Sequence, residues 1–271
     1  MPSFLQITDT HIVADGTLAY GRSDTAAALE RAVETINARL PLLGGVECAI
    51  VTGDLTDHGS EEEYDRFKAI MSRLQLPYLA IPGNHDLRGP MRVAFAGEDW
   101  MPMQGPIQWR RDIGALTVIG LDTLLEGAHY GHLSDAGFAF LDSTLSSLGP
   151  RPAVIATHHP WMLSGIDAMD QDNLRNGARL IERLQAHPGP VRMISGHVHR
   201  AITGQIGKVT CQIGPAPCHA VHLDHRRQAE NALILEPGAV TVYCQPATQP
   251  GLLISDLLPV GSFAGPWPFF P

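Results

Sequence analysis

The sequence predicts an α/β protein whose sheets and helices stack as a four-layer α/β/β/α sandwich. Short continuous runs rich in Val, Ile and Leu recur along the first part of the chain, the pattern of strands buried on both faces. Helical patterns alternate with these runs, and such alternation builds a layered α/β fold. After residue 200 the helical periodicity stops while strand-like runs continue, which predicts a second sheet.

In chain order, "FLQIT" (4–8) is the first strand. A helix follows from Ser23 to Leu40, because Leu29, Val33, Ile36 and Leu40 keep helical spacing. After the strand "CAIVT" (48–52), Ser60 and Glu63 have the spacing of a capping box. The helix they open carries Tyr64, Phe67, Ile70, Met71 and Leu74 on its buried stripe. "YLAIP" (78–82) and "LTVIGL" (116–121) are strands. Ser134 opens a helix with Phe138, Leu141, Leu145 and Leu148 on one face. "AVIAT" (153–157), a helix over about 173–187 with Leu180, Ile181 and Leu184, and "VRMIS" (191–195) complete the alternation. Beyond them, "GKVTCQIG", "NALILEP" and "AVTVYCQ" read as strands. Residues 1–245 are expected to form one catalytic domain. Residues 246–271 are apolar and rich in Pro and Gly, and are expected to pack on that domain or on a neighbouring subunit. A homo-oligomer, dimer or larger, is therefore expected.

The chain of 271 residues is 44% hydrophobic and 17% charged, a globular balance. No apolar run approaches the length that spans a bilayer. The formal charge of -9 argues against a nucleic-acid polymer as partner, since a phosphate backbone prefers a basic groove. Cys48, Cys211, Cys218 and Cys244 form no CxxC pair, and the start lacks a basic, secretory-type leader. Both features suit a reducing cytoplasm.

Five short stretches carry the chemistry: "DTH" (9–11), "GDLTDHG" (53–59), "GNHD" (83–86), "THHP" (157–160) and "GHVH" (196–199). Each lies at the end of an apolar run, and loops at the carboxyl ends of α/β strands converge on one crevice. Carboxylate and imidazole donors without thiolate suit Mn, Fe, Zn or Co rather than a structural zinc. Asp54 has two oxygens and can bridge two ions. Asn84 supplies a neutral oxygen that limits negative charge. Two-metal sites serve phosphoester hydrolysis, because the ions clamp the attacking and leaving oxygens.

Taken in this order, the motifs resemble those of the calcineurin-like metallophosphoesterases. Within that superfamily the chain is similar to class III cyclic nucleotide phosphodiesterases and bacterial glycerophosphodiesterases. The length, "AYGR" (19–22), "NG" (176–177) before a helix and "AGPW" (264–267) support this branch. The resemblance implies two divalent ions, one held by Asp9, His11, Asp54 and His199. The other would be held by Asp54, Asn84, His158 and His197. It implies that a hydroxide bridging the ions attacks a small phosphodiester in line. His85 would contact the phosphate and assist the leaving group, and His219 would contact substrate.

Tyr20 and Asn176 are further candidates for the substrate pocket. Asp86 is expected to orient His85 or a ligand from behind, and His159 is not expected to be a ligand. His222 and His225 are expected to be solvated. The reading is a metal-dependent phosphodiesterase acting on a glycerophosphodiester or a 3′,5′-cyclic nucleotide. The alternatives are a nuclease or phosphatase of the superfamily, or a binding module with a vestigial site.

Overall fold

The computed structural model describes residues 3–249 and 251–270; Pro250 and Pro271, at the ends of the predicted C-terminal segment's two parts, lie outside the described residues, as do Met1 and Pro2. Two sheets form the middle layers. The first has the order β13-β12-β1-β2-β3. Its strands are β1 (Ser3–Ile7), β2 (Val46–Thr52), β3 (Tyr78–Ile81), β12 (Ala239–Cys244) and β13 (Ile254–Pro259). The second has the order β4-β5-β6-β7-β9-β8. It contains β4 (Trp109–Ile113), β5 (Leu116–Gly120), β6 (Ala153–Ala156), β7 (Val191–Ser195), β8 (Ile202–Ile206) and β9 (Val209–Ile213). A short ribbon pairs β10 (Ala220–Val221) with β11 (Leu233–Ile234).

The predicted alternation holds, but the sheets divide differently from the expectation. The early strands β1, β2 and β3 are mutually parallel in one sheet, and β5, β6 and β7 are mutually parallel in the other. The second sheet is therefore built mainly before residue 200, and the late strand β12 returns to pair antiparallel with β1. "NALILEP" yields only the two-residue β11. The apolar tail contributes β13, antiparallel to β12 along six residues.

Helices α1 (Thr25–Arg39), α2 (Glu61–Met71), α4 (Asp135–Leu148) and α6 (Gly177–Ala186) form the outer layers, with shorter α3 (Arg88–Ala94) and α5 (Asp167–Asp170). The Asp24 carboxylate caps α1, and Ser134 caps α4. Ser60 and Glu63 close the predicted capping box on α2. Side-chain alternation along the second sheet fixes the layering. Val118, Val154, Ala156 and Ile194 pack into the core shared with the first sheet. Their neighbours Ile119, Ile155 and Met193 face the opposite way, onto Phe138 and Leu141 of α4 and Leu180 and Leu184 of α6.

Polar ties also cross between the sheets. Gln6 of β1 donates to the Ser195 carbonyl of β7 at 2.8 Å, and within its own sheet it accepts from the Tyr243 hydroxyl of β12 at 2.9 Å. Trp109 of β4 donates its indole N–H to the Ala80 carbonyl of β3 at 2.7 Å. Both parallel triplets consequently end at the same edge of the sandwich, where the five motif loops meet.

Candidate metal centre

Asp9 and His11 follow β1, Asp54 follows β2, and Asn84 and His85 follow β3. From the second sheet come His158 after β6 and His197 and His199 after β7. Asp9, His11, Asp54, His197 and His199 all adopt positive φ, between 43° and 73°. This left-handed region costs a non-glycine residue on the order of 1 kcal/mol or more. Its repetition at these positions shows backbone bent to aim side chains inward. The loops are joined by main-chain bonds: Asp9 N donates to Gly53 O and His11 N to Asp54 O, both at 3.0 Å. His197 N donates to Asp9 Oδ1 at 2.9 Å.

Hydrogen bonds from behind set which ring nitrogen of His11, His199 and His158 faces inward. His11 Nδ1 donates to Asp57 Oδ1 at 2.9 Å, and His199 Nδ1 to the His219 carbonyl at 3.1 Å. Their Nε2 atoms then face each other at 3.1 Å. His158 Nδ1 donates to the Thr52 carbonyl at 2.9 Å, leaving its Nε2 at 3.0 Å from Asn84 Oδ1 and 3.3 Å from Asp54 Oδ2. His197 Nδ1 also meets Asn84 Oδ1 at 3.0 Å. Asp54 Oδ2 lies 3.4 Å from His11 Nε2 as well, so one carboxylate stands between two clusters.

These contacts bring lone pairs together, and lone pairs repel unless a positive charge lies among them. Burial pushes the Asp54 carboxyl up, yet the charges of His158, His85 and His11 more than offset it and hold it well below the usual carboxylate range. Burial pulls the His158 imidazole down, and Asp54 and Asp9 outweigh it, raising the group to about 9. A proton can serve one lone pair at a time, whereas a divalent ion can serve several acceptors at once. Burial, chiefly, holds His197 and His199 well below the ordinary imidazole range, so both present neutral, ligating nitrogens. The donor set of oxygen and imidazole nitrogen, with Asp54 in common, fits two divalent cations. Groups of close donors recur as Asp9, His11 and His199 and as Asp9, Asp54 and His158.

The remaining candidates separate. His85 donates Nδ1 to the Asp57 carbonyl at 2.8 Å, and its ring stacks edge-on to His11 with centroids 4.6 Å apart. His219 is buried, with Nδ1 3.2 Å from Ser23 Oγ, and its ring lies 4.8 Å from that of His199. Tyr20 is half-exposed, its ring 5.5 Å from His219 and 6.3 Å from His11. These three residues line one cavity of about 340 Å³ together with His11, Asp54, Asn84, His197 and His199, while Asp9 and His158 are fully buried. Asn176 is not brought there. Its amide is used at the start of α6, accepting from Leu133 N at 3.0 Å and donating to Leu133 O at 2.8 Å.

Among the described residues, the Asp86 carboxylate makes no hydrogen bond to the His85 side chain. It accepts from Gly83 N, Leu55 N, Thr56 N, Thr56 Oγ1 and Tyr64 Oη, and so pins the loop after β2 to the loop after β3. His159 donates Nε2 to the His129 carbonyl and meets Thr123 Oγ1 through Nδ1, which leaves no nitrogen free for an ion. Asp57, which the sequence alone does not mark out, accepts from His11 through its carboxylate and from His85 through its carbonyl. It lies within the quoted "GDLTDHG", and the signal was its spacing of three from Asp54.

Comparison with known proteins agrees with this geometry. A probable glycerophosphodiester phosphodiesterase GpdQ of Arcobacter nitrofigilis is 33% identical over 98% of this chain and 96% of its own length. A 3′,5′-cyclic adenosine monophosphate phosphodiesterase CpdA of Pseudomonas aeruginosa is 32% identical over 79% of this chain and 75% of its own. The fold is similar to that of a dimetal phosphatase from Danio rerio, with a TM-score of 0.62 at 14% identity, covering 96% of this chain and 99% of that one. The sequence profile described as calcineurin-like phosphoesterase matches residues 2–201, the stretch that holds all five motif loops. The chain therefore belongs to the calcineurin-like phosphoesterase family.

Proposed function

We propose that the protein is a metal-dependent phosphodiesterase of small diesters. One observation carries the reading: the Asp54 carboxylate is shared between two donor clusters, and both open on a cavity edged by His85. Asp9, His11, Asp54 and His199 would hold one ion, and Asp54, Asn84, His158 and His197 the other. Such a pair supplies positive charge for the phosphoryl oxygens and lowers the pKa of a bound water.

The chain's own groups do the rest. The Asp57 carbonyl accepts a hydrogen bond from His85 Nδ1–H, which leaves Nε2 as the nitrogen open to substrate. From there a protonated His85 can donate to a phosphoryl oxygen or to the departing alkoxide. Burial and the nearby His199 hold His219 far below the ordinary imidazole range, so it meets substrate neutral. No Lys or Arg lines the cavity among the described residues. Beyond His85, a monoester dianion finds no side-chain cation there to balance its second charge, which favours the diester. The -9 charge supports a small substrate over a nucleic acid.

The similarity to glycerophosphodiester and cyclic nucleotide phosphodiesterases supports those two substrate classes. Mn, Fe, Zn and Co all suit the donors. All four cysteines are free, which supports a reducing, cytoplasmic setting. No helix among the described residues is long and apolar enough to cross a membrane. Phe263, Trp267, Phe269 and Phe270 are exposed in the tail, which supports residues 246–271 as a contact with a second subunit and hence a homo-oligomer.

The test is hydrolysis of bis(p-nitrophenyl) phosphate and of p-nitrophenyl phosphate by Mn-loaded protein, before and after chelation. Diesterase activity should exceed monoesterase activity, vanish with chelator and return with metal. Asp54→Asn and His85→Ala should each lower kcat by about 100-fold or more. No turnover by protein that demonstrably binds metal would leave a binding module instead.

A further inference from the structure

The cavity contains one acidic group that belongs to neither donor cluster. Asp172 lines it, on the loop between α5 and α6, and is half-buried. Its backbone N–H donates to the Met169 carbonyl, but among the described residues its carboxylate has no hydrogen-bond or ion-pair partner. The cation nearest along the loop, Arg175, is turned away, its guanidinium 4.6 Å from the centre of the Tyr130 ring. Among the described residues, no other Asp or Glu besides Asp54 lines the cavity. A half-buried carboxylate loses part of its hydration, so a ligand that brings a complementary charge recovers more there than at an open surface.

The cavity is thus polarised. Its inner wall is the ligand cluster, which would be positive with two ions in place. Asp172 adds a negative charge to the rest of the lining, which includes the apolar Met169, Val221, Ala232 and Leu233 and the polar His129 and Asn231. We propose that Asp172 selects zwitterionic diesters, in which the phosphate monoanion is joined to an alcohol carrying an ammonium or trimethylammonium group. The inference rests on the phosphodiesterase reading above and narrows it. The phosphate goes to the inner wall, the short alkyl linker lies along the apolar residues, and the cation sits against the Asp172 carboxylate. A cyclic nucleotide brings an anion and a neutral base, and gains no charge pairing at this position.

The test compares kcat/KM for glycerophosphoethanolamine, which is cationic at nitrogen, with that for glycerophosphoglycerol, which is neutral there. Bis(p-nitrophenyl) phosphate serves as a reporter of the metal chemistry. Metal-loaded wild type should prefer the cationic diester. In Asp172→Asn the preference ratio should fall about tenfold, chiefly through KM, because one charge-assisted contact is lost. Asp172→Glu should restore most of the ratio, and added salt should lower it in wild type. An unchanged ratio in Asp172→Asn, or no preference in wild type, overturns the inference while bis(p-nitrophenyl) phosphate turnover keeps the phosphodiesterase reading. An equal loss on both glycerol diesters overturns it too, and makes Asp172 an acceptor for substrate hydroxyls or a prop for the loop. Loss of all turnover, the reporter included, by wild type removes both readings.

Discussion

Asp57 stands between two histidines of the site: its carboxylate accepts from His11 Nδ1, and its backbone carbonyl accepts from His85 Nδ1. Burial pushes the Asp57 carboxyl up, and the hydrogen bond and charge of His11 more than offset it, so it is held low and stays ionised. An ionised carboxylate behind an imidazole fixes its tautomer and raises its basicity as a ligand. Asp57→Ala should therefore weaken binding of one metal ion by about 10- to 100-fold, as such supporting groups usually do. Competition with a chelator would measure it. KM at saturating metal should change little, because the backbone carbonyl that holds His85 survives. Equal affinity in the variant would show that Asp57 is a turn residue and no more. That bland reading is why the sequence alone does not reveal it: Asp after Thr in a turn is common, and only the 2.9 Å bond distinguishes the roles. The ligands are legible because seven donor side chains follow the ends of buried runs, where a turn former has no need to be a His or Asp each time.

The elements are legible in proportion to how much apolar surface they bury. The parallel strands β1, β2, β3, β5, β6 and β7 announce themselves as Val/Ile/Leu runs, and α2 by its capping box. The elements that escape are those held by backbone pairing at the margins. "WRRDI" of β4 alternates buried ends with charged residues, "ITGQI" of β8 is only half-buried, and "ISDLLP" of β13 lies at an edge. Their partners decide them, and partners are not written in local periodicity. The turn after β7 shows the opposite case, where one residue decides the element. A Cβ at Gly196 would lie 2.6 Å from Asp9 Oδ2 and collide with Thr8 Oγ1. Only glycine lets this turn pass so close to the loop after β1, and that approach places His197 N on Asp9. Gly196→Ala should cost about 1–3 kcal/mol of stability by overpacking and separate the two loops. Thermal melting would show the first effect. A loss of metal affinity larger than the loss of stability would show the second, and a variant that binds metal like wild type would mean the loops yield without moving the donors.

At the scale of the whole molecule, neither sheet contains the site. The first contributes Asp9, His11, Asp54 and Asn84, and the second His158, His197 and His199, so the cluster depends on the shared apolar core and on ties such as those of Gln6 and Trp109 that hold the sheets together. That division could not be read from the chain, because strands of one type distribute between two sheets without a local signal. It also couples the site's charge to global stability. In the metal-free chain His158 is raised from 6.5 to about 9, so its protonated form stabilises the fold fully below pH 6.5, and this is lost as pH rises toward 9. His11, also raised, acts in the same sense. His197 and His199 are lowered from 6.5 by burial first. They contribute stability that is present above pH 6.5 and is lost as pH falls below it, when the unfolded chain takes up protons that the fold refuses. From these groups the chelated protein should be most stable near pH 6.5, with the His158 contribution lost toward pH 9 being at most about 3 kcal/mol. Metal reverses the alkaline limb, because its ligands must be deprotonated and the ion replaces the charge that the proton supplied. Melting temperatures in chelator should peak near pH 6.5 and decline on both sides, while the increment gained on adding Mn grows from pH 6.5 to 9. A chelated protein whose melting temperature stays level or climbs over that alkaline range would show that the two sheets are held together without help from the charge at their shared edge.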